Sequence, residues 1–240
     1  MNRLARITNS LLLLVFSSAL LAEEVEVSLP SGNVIAYTRY TAAGNDLLLW
    51  FASERGLGKA ESRAALELSE RGVEVWLFDL ASALFLPQTP SSLDGIQASD
   101  MQRLLERASA TGARLCVYAP SRAAVPVLRG LAGRPDINAR VLLMHPNFYS
   151  RVDALDGADY LSFGSLKSVD VLVLQPRRSA ATPWVENQVE ALRKTGANTA
   201  LKMLERLREG FWVREDATDY EINEGRNLAE HMLNWMKGTP

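Results

Sequence analysis

The chain of 240 residues has a single cysteine, Cys116, and two histidines, His145 and His231. One thiol cannot close an intramolecular disulfide, and so few Cys and His residues provide no cluster at zinc-site spacing. No metal is expected. Strong charge of one sign is also missing, because 26 Lys+Arg face 28 Asp+Glu and the formal net charge is −2. Without a basic run or patch the chain lacks the electrostatic footprint of a nucleic-acid binder, and no nucleic-acid partner is expected. Gly56-Leu57-Gly58 begins like a dinucleotide-binding turn, but Glu61 stands where the third glycine would be, so no cofactor is expected. Internal repeats and low-complexity tracts are absent. What remains is a composition 48% hydrophobic and 22% charged, that of a folded protein with a core of substantial size.

Only one apolar run is long, and it is terminal. Arg3 and Arg6 precede Leu11 to Leu21, and Ala22 ends the run before Glu23-Glu24. This is the pattern of a signal peptide over residues 1–22, and the run is short of the about 20 residues of a membrane span. Cleavage there removes two arginines and no acid, taking the net charge from −2 to −4. The expectation is a periplasmic or secreted protein with no stable membrane span after cleavage and one domain over residues 23–240. No cysteine follows the run, so lipid attachment through a lipobox is not available.

Along residues 23–240, Glu24 to Leu29 and Val34 to Tyr40 alternate about the turn residues Pro30-Ser31-Gly32-Asn33 and predict an antiparallel hairpin. Short apolar strands then alternate with helical segments. Strands are predicted at 47–51, 73–78, 114–118, 140–144, 169–174 and 199–204, and helices at 60–70, 99–108, 124–131, 183–194 and 223–236. Continuous apolar runs such as Val171-Leu172-Val173-Leu174 require cover on both faces, as parallel sheets receive from crossover helices. The fold class is α/β: a three-layer sandwich with a mostly parallel sheet and an N-terminal antiparallel hairpin.

Parallel sheets place ligands at the carboxyl ends of their strands. There, the loop Ala119-Pro120-Ser121-Arg122-Ala123 runs a strand into a serine that opens a helix. Ser121 reads either as a helix N-cap or as a nucleophile on a sharp turn whose neighbours two places away must be small, as Ala119 and Ala123 are. With the hairpin and the βα units, this loop resembles the α/β-hydrolase superfamily, with alanines in the two glycine places of G-x-S-x-G. The resemblance implies Ser121 as nucleophile. It implies an oxyanion hole from the backbone N–H of Arg122 and one from the loop that starts at Ala52. It places the acid at Ser179 and the histidine within 208–216, a stretch that has no histidine.

His145 follows the strand beside that of Ser121 and is the candidate substitute base, with Asp153, Asp156 or Asp159 to orient it; the alternative is a histidine tied to the strand end. His231 reads as a packed surface histidine, Cys116 as a buried thiol and Asp79 as an acceptor for backbone donors. Arg177 and Arg178, with Arg122, would line the site edge and suit an anionic small molecule or envelope component. A protein partner is not indicated. Two functions follow: a serine hydrolase of an ester-like bond with Ser121 and His145 as catalytic residues, or a hydrolase-fold protein without catalysis that serves as an envelope binding or accessory module.

Overall fold

A computed structural model describes residues 22–153 and 157–238. The chain opens with the expected hairpin, β1 (Ala22–Ser28) and β2 (Val34–Tyr40), paired antiparallel from Ala22↔Tyr40 to Ser28↔Val34. The βα units follow: β3 (Asp46–Phe51), α1 (Lys59–Glu70), β4 (Val73–Phe78), a short α2 (Leu80–Ala83), α3 (Ala98–Ser109), β5 (Arg114–Pro120), α4 (Ala124–Ala132) and β6 (Ala139–Met144). A two-stranded excursion, β7 (Tyr149–Asp153) with β8 (Gly157–Tyr160), precedes β9 (Val169–Pro176), α5 (Val185–Lys194) and β10 (Asn198–Leu204). Two helices, α6 (Asp219–Arg226) and α7 (Leu228–Lys237), end the described chain.

Eight strands form one sheet in the order β1-β2-β4-β3-β5-β6-β9-β10, with β1 and β2 antiparallel to their neighbours and the rest parallel. Side chains alternate across the sheet, so each strand feeds two cores. Leu47, Leu49 and Phe51 of β3 join Val117 and Val173 on one face, against α3, α4 and α5. Leu48 and Trp50 join Tyr118, Leu142 and Leu174 on the other, against α1 and α7. Cys116 lies in this second core, where burial pushes its thiol pKa up to about 12 and leaves it inert.

One predicted element differs. The helix expected over 223–236 is two helices that meet at Asn227, whose φ of −90° and ψ of 16° depart from helical values. The first starts earlier because Thr218 and Glu221 form a capping box, each satisfying a backbone donor of the other's turn. The segment between β6 and β9 holds the β7–β8 hairpin, in which Tyr149 faces Tyr160 with ring centroids 5.4 Å apart.

Candidate active site

β5 ends at Pro120, and the next residue, Ser121, has φ +49°, a value that costs a side-chain-bearing residue about 1–3 kcal/mol. A 3₁₀ turn, Ser121–Ala123, leads into α4. Ala119 and Ala123 are buried where the strand and helix backbones come together. The turn is further held by Asn147, whose N–H donates to the Ser121 carbonyl at 3.0 Å.

Ser121 Oγ caps no helix. It donates to Glu54 Oε1 at 3.1 Å, and the backbone N–H of Arg122 donates to Glu54 Oε2 at 3.3 Å. Glu54, buried in the loop after β3, thus spans with its two oxygens the hydroxyl of the elbow and the N–H that the α/β-hydrolase resemblance assigns to the oxyanion hole. Ala52 does not supply the second donor, since its N–H is committed to the carbonyl of Phe78 at 2.8 Å as β3 leaves the sheet. Asp79, just after β4, holds the same loop by accepting from Leu57 N at 3.3 Å and caps α2 by accepting from Ser82 N at 3.0 Å. Gly56 turns there with φ +83°, and a Cβ on it would meet Asp79 Oδ2 at 3.0 Å.

His145 also has positive φ, +37°, and its N–H continues the sheet by donating to Leu174 O at 2.7 Å. A hydroxyl carries one proton, and that of Ser121 is directed at Glu54, so His145 is not hydrogen-bonded to it as a base would be. Instead His145 Nδ1 lies 4.0 Å from Glu209 Oε1, with the Trp212 ring 6.3 Å away between centroids. Burial, the dominant influence, lowers the imidazole pKa below its ordinary value, and the nearby Glu209 carboxylate opposes this only in part. Burial thus disfavours the protonated ring. Asp159 is paired with Arg151 at 2.9 Å, while Asp156 and the side chain of Asp153 lie outside the described residues.

Ser179 and the stretch after β10 do meet, as the resemblance implies for its acid and histidine, but the pair is Ser179 Oγ donating to Glu209 Oε1 at 2.6 Å. The arginines do not form the expected positive edge. The buried guanidinium of Arg122 is spent on Asp94 through Nε at 2.6 Å and on the Tyr149 carbonyl at 2.8 Å. Arg177 pairs with Glu205 at 2.7 Å, Arg178 is exposed, and neither lines the cavity. His231 faces Glu224 at 3.1 Å on the C-terminal helices.

Ser121, His145 and Glu209 border one cavity of about 610 Å³ at the carboxyl edge of the sheet. Sequence reasoning missed its other polar groups. Glu61, in the first turn of α1, accepts from Gly58 N at 3.0 Å and from Trp212 Nε1 at 2.7 Å. Tyr118 packs edge-on to Trp50 with centroids 5.0 Å apart, and its buried hydroxyl has no hydrogen-bond partner among the described residues. A carboxylate at N3 of a helix was a signal readable for Glu61; no local pattern marked Glu54 or Tyr118.

No protein-family model and no curated protein sequence matches the chain. Solved structures do. Esterase Est22 superposes with TM-score 0.67 and 12% identity over 92% of this chain and 82% of its own. The esterase domain of a Rhodothermus marinus protein gives 0.57 and 13% over 88% and 97%. An esterase of Rhizomucor miehei gives 0.62 and 12% over 93% and 84%. The chain has the α/β-hydrolase fold.

Proposed function

We propose that this chain is an exported α/β-hydrolase-fold protein that binds a small molecule in the envelope and does not hydrolyse it. The observation that carries the reading is the Glu54 carboxylate on both Ser121 Oγ and Arg122 N–H. Acyl transfer requires a base on the serine proton and an open set of donors for the developing oxyanion. While Glu54 holds the proton it fills the donor; if it withdraws, the donor opens and the hydroxyl loses its acceptor. A missing oxyanion donor alone costs about 10²–10³ in rate, and a missing general base about 10²–10⁴. The position that the resemblance gives to histidine is served by Glu209, held by Ser179. Binding is supported by the cavity, whose volume of about 610 Å³ is that of a small-molecule site and whose lining mixes Trp50, Tyr149 and Trp212 with a few fixed polar groups.

Hydrolysis of p-nitrophenyl acetate and butyrate tests this. Wild type and Ser121→Ala are expected to agree within about twofold. Wild-type turnover about tenfold or more above that of Ser121→Ala overturns the reading. One observation favours a second reading: the strained backbone of Ser121, φ +49°, is retained. In that reading Glu54 swings away on ligand entry and Ser121 attacks with His145 as base, so that Ser121→Ala and His145→Ala both abolish turnover.

A further inference from the structure

We propose that the cavity is a site for a primary alkylammonium ion, its head group received by the Glu54 and Glu61 carboxylates and the Tyr118 hydroxyl. This deepens the reading of the chain as a binding protein and rests on it. Glu54 and Glu61 are 9% and 7% exposed, and both border the cavity. Their hydrogen-bond donors are all uncharged: Ser121 Oγ and Arg122 N for Glu54, Gly58 N and Trp212 Nε1 for Glu61. Among the described residues neither carboxylate has an ion-pair partner. Burial disfavours the protonated form of the one imidazole at the cavity, His145. Two buried anions without a cation are costly, and a cationic ligand removes that cost at the moment it binds.

An independent observation points the same way. Tyr118 is fully buried beside the cavity, and its hydroxyl finds no hydrogen-bond partner among the described residues. A phenolic oxygen left alone in a core is expensive, and an ammonium N–H supplies the donor that it lacks. Each carboxylate oxygen retains a lone pair after its present bond, so the three donors of an alkylammonium have acceptors available. Trp212, half-buried at the cavity, adds an aromatic neighbour for the charge. A metal ion is the other cation to consider, but among the described residues no group of three or more His, Cys, Asp or Glu is placed to hold one. The arginines at the cavity, Arg55 and Arg214, are exposed at its mouth, and Arg214 is taken up by Asp216 at 2.8 Å. The negative potential is therefore deep and the positive potential outside, which sets the ligand's direction with its ammonium inward.

Titration calorimetry and thermal shift with n-butylammonium chloride, its uncharged isostere butan-1-ol, and sodium butyrate test the inference. Saturable binding of n-butylammonium is expected, about tenfold or more tighter than butan-1-ol. Glu61→Gln should weaken it by about tenfold. Tyr118→Phe, which removes one unpartnered hydroxyl and keeps the ring, should weaken it severalfold and carries the test if the Glu61 variant does not fold. Equal binding of butan-1-ol, preference for butyrate, or no binding of n-butylammonium overturns the inference. Binding of the alcohol or the carboxylate would leave the binding reading standing. Ser121-dependent ester turnover would remove the binding reading instead, whatever the amine does.

Discussion

At the residue scale, two side chains decide how the site behaves. Glu54 turns a serine on a strained turn into a hydrogen-bond donor to its own protein. At His145, burial outweighs the nearby carboxylates and lowers the imidazole pKa. Its folded-state pKa is below the ordinary value of about 6.5, so below that pH the unfolded chain takes a proton that the native chain refuses. Stability contributed by the neutral ring is complete above about pH 6.5 and is lost as pH falls toward the lowered value. Urea midpoints measured between pH 7.5 and pH 5 should therefore decline for wild type, and decline less steeply for His145→Gln; parallel curves would contradict the assignment. Neither residue's setting was legible locally. Ser121 stood out because its turn chemistry lies within five consecutive residues, whereas its contact with Glu54 spans 67 positions and leaves no mark in either neighbourhood.

At the element scale, the strands were legible because an apolar run such as 171–174 has one stable setting, the middle of a doubly covered sheet. Helix boundaries near the C-terminus were not, since the apolar spacing of Leu228, Met232 and Trp235 reports only α7. The start of α6 was written instead in Thr218 and Glu221. Thr218 Oγ1 accepts from Glu221 N at 3.3 Å, and Thr218→Ala should cost about 1 kcal/mol in denaturant unfolding. Glu221 is fully buried and held by Arg208 at 2.8 Å, which keeps its carboxyl well below the usual range. Helix packing supplies a sharper case. A Cβ on Gly130 of α4 would lie 2.5 Å from Met101 Cγ and 2.8 Å from Met101 Cβ on α3. Gly130→Ala should destabilise by about 1–3 kcal/mol, the usual range for overpacking, and a neutral result would show that the two helices can separate freely.

At the scale of the whole molecule, the sheet order explains why residues from distant stretches share one cavity. Strands β3, β5 and β6 are neighbours, so the loops after them bring Glu54, Ser121 and His145 to one edge, and the loop after β10 closes it with Glu209 and Trp212. The alternation of strand and helix in the sequence implied such an edge; which side chains would meet across it depended on loop paths that no periodicity encodes. No helix among the described residues is long and apolar enough to cross a membrane. The basic start at Arg3 and Arg6 and the apolar run to Leu21 lead us to expect export with processing before Glu23. Removing Ala22 would take only the first of seven residues from β1, so the hairpin register survives. N-terminal sequencing of protein from the soluble envelope fraction should begin at Glu23, and Met1 in a cytosolic pool would contradict export.

The most direct test of the account is whether Ser121 can act as a nucleophile while Glu54 is present. Intact-mass spectrometry after exposure to a fluorophosphonate reads this without assuming a substrate, since a covalent adduct requires both an activated hydroxyl and a free oxyanion donor. The account predicts that wild type remains unmodified, as Ser121→Ala must. A stoichiometric adduct on wild type that is absent from Ser121→Ala would contradict it.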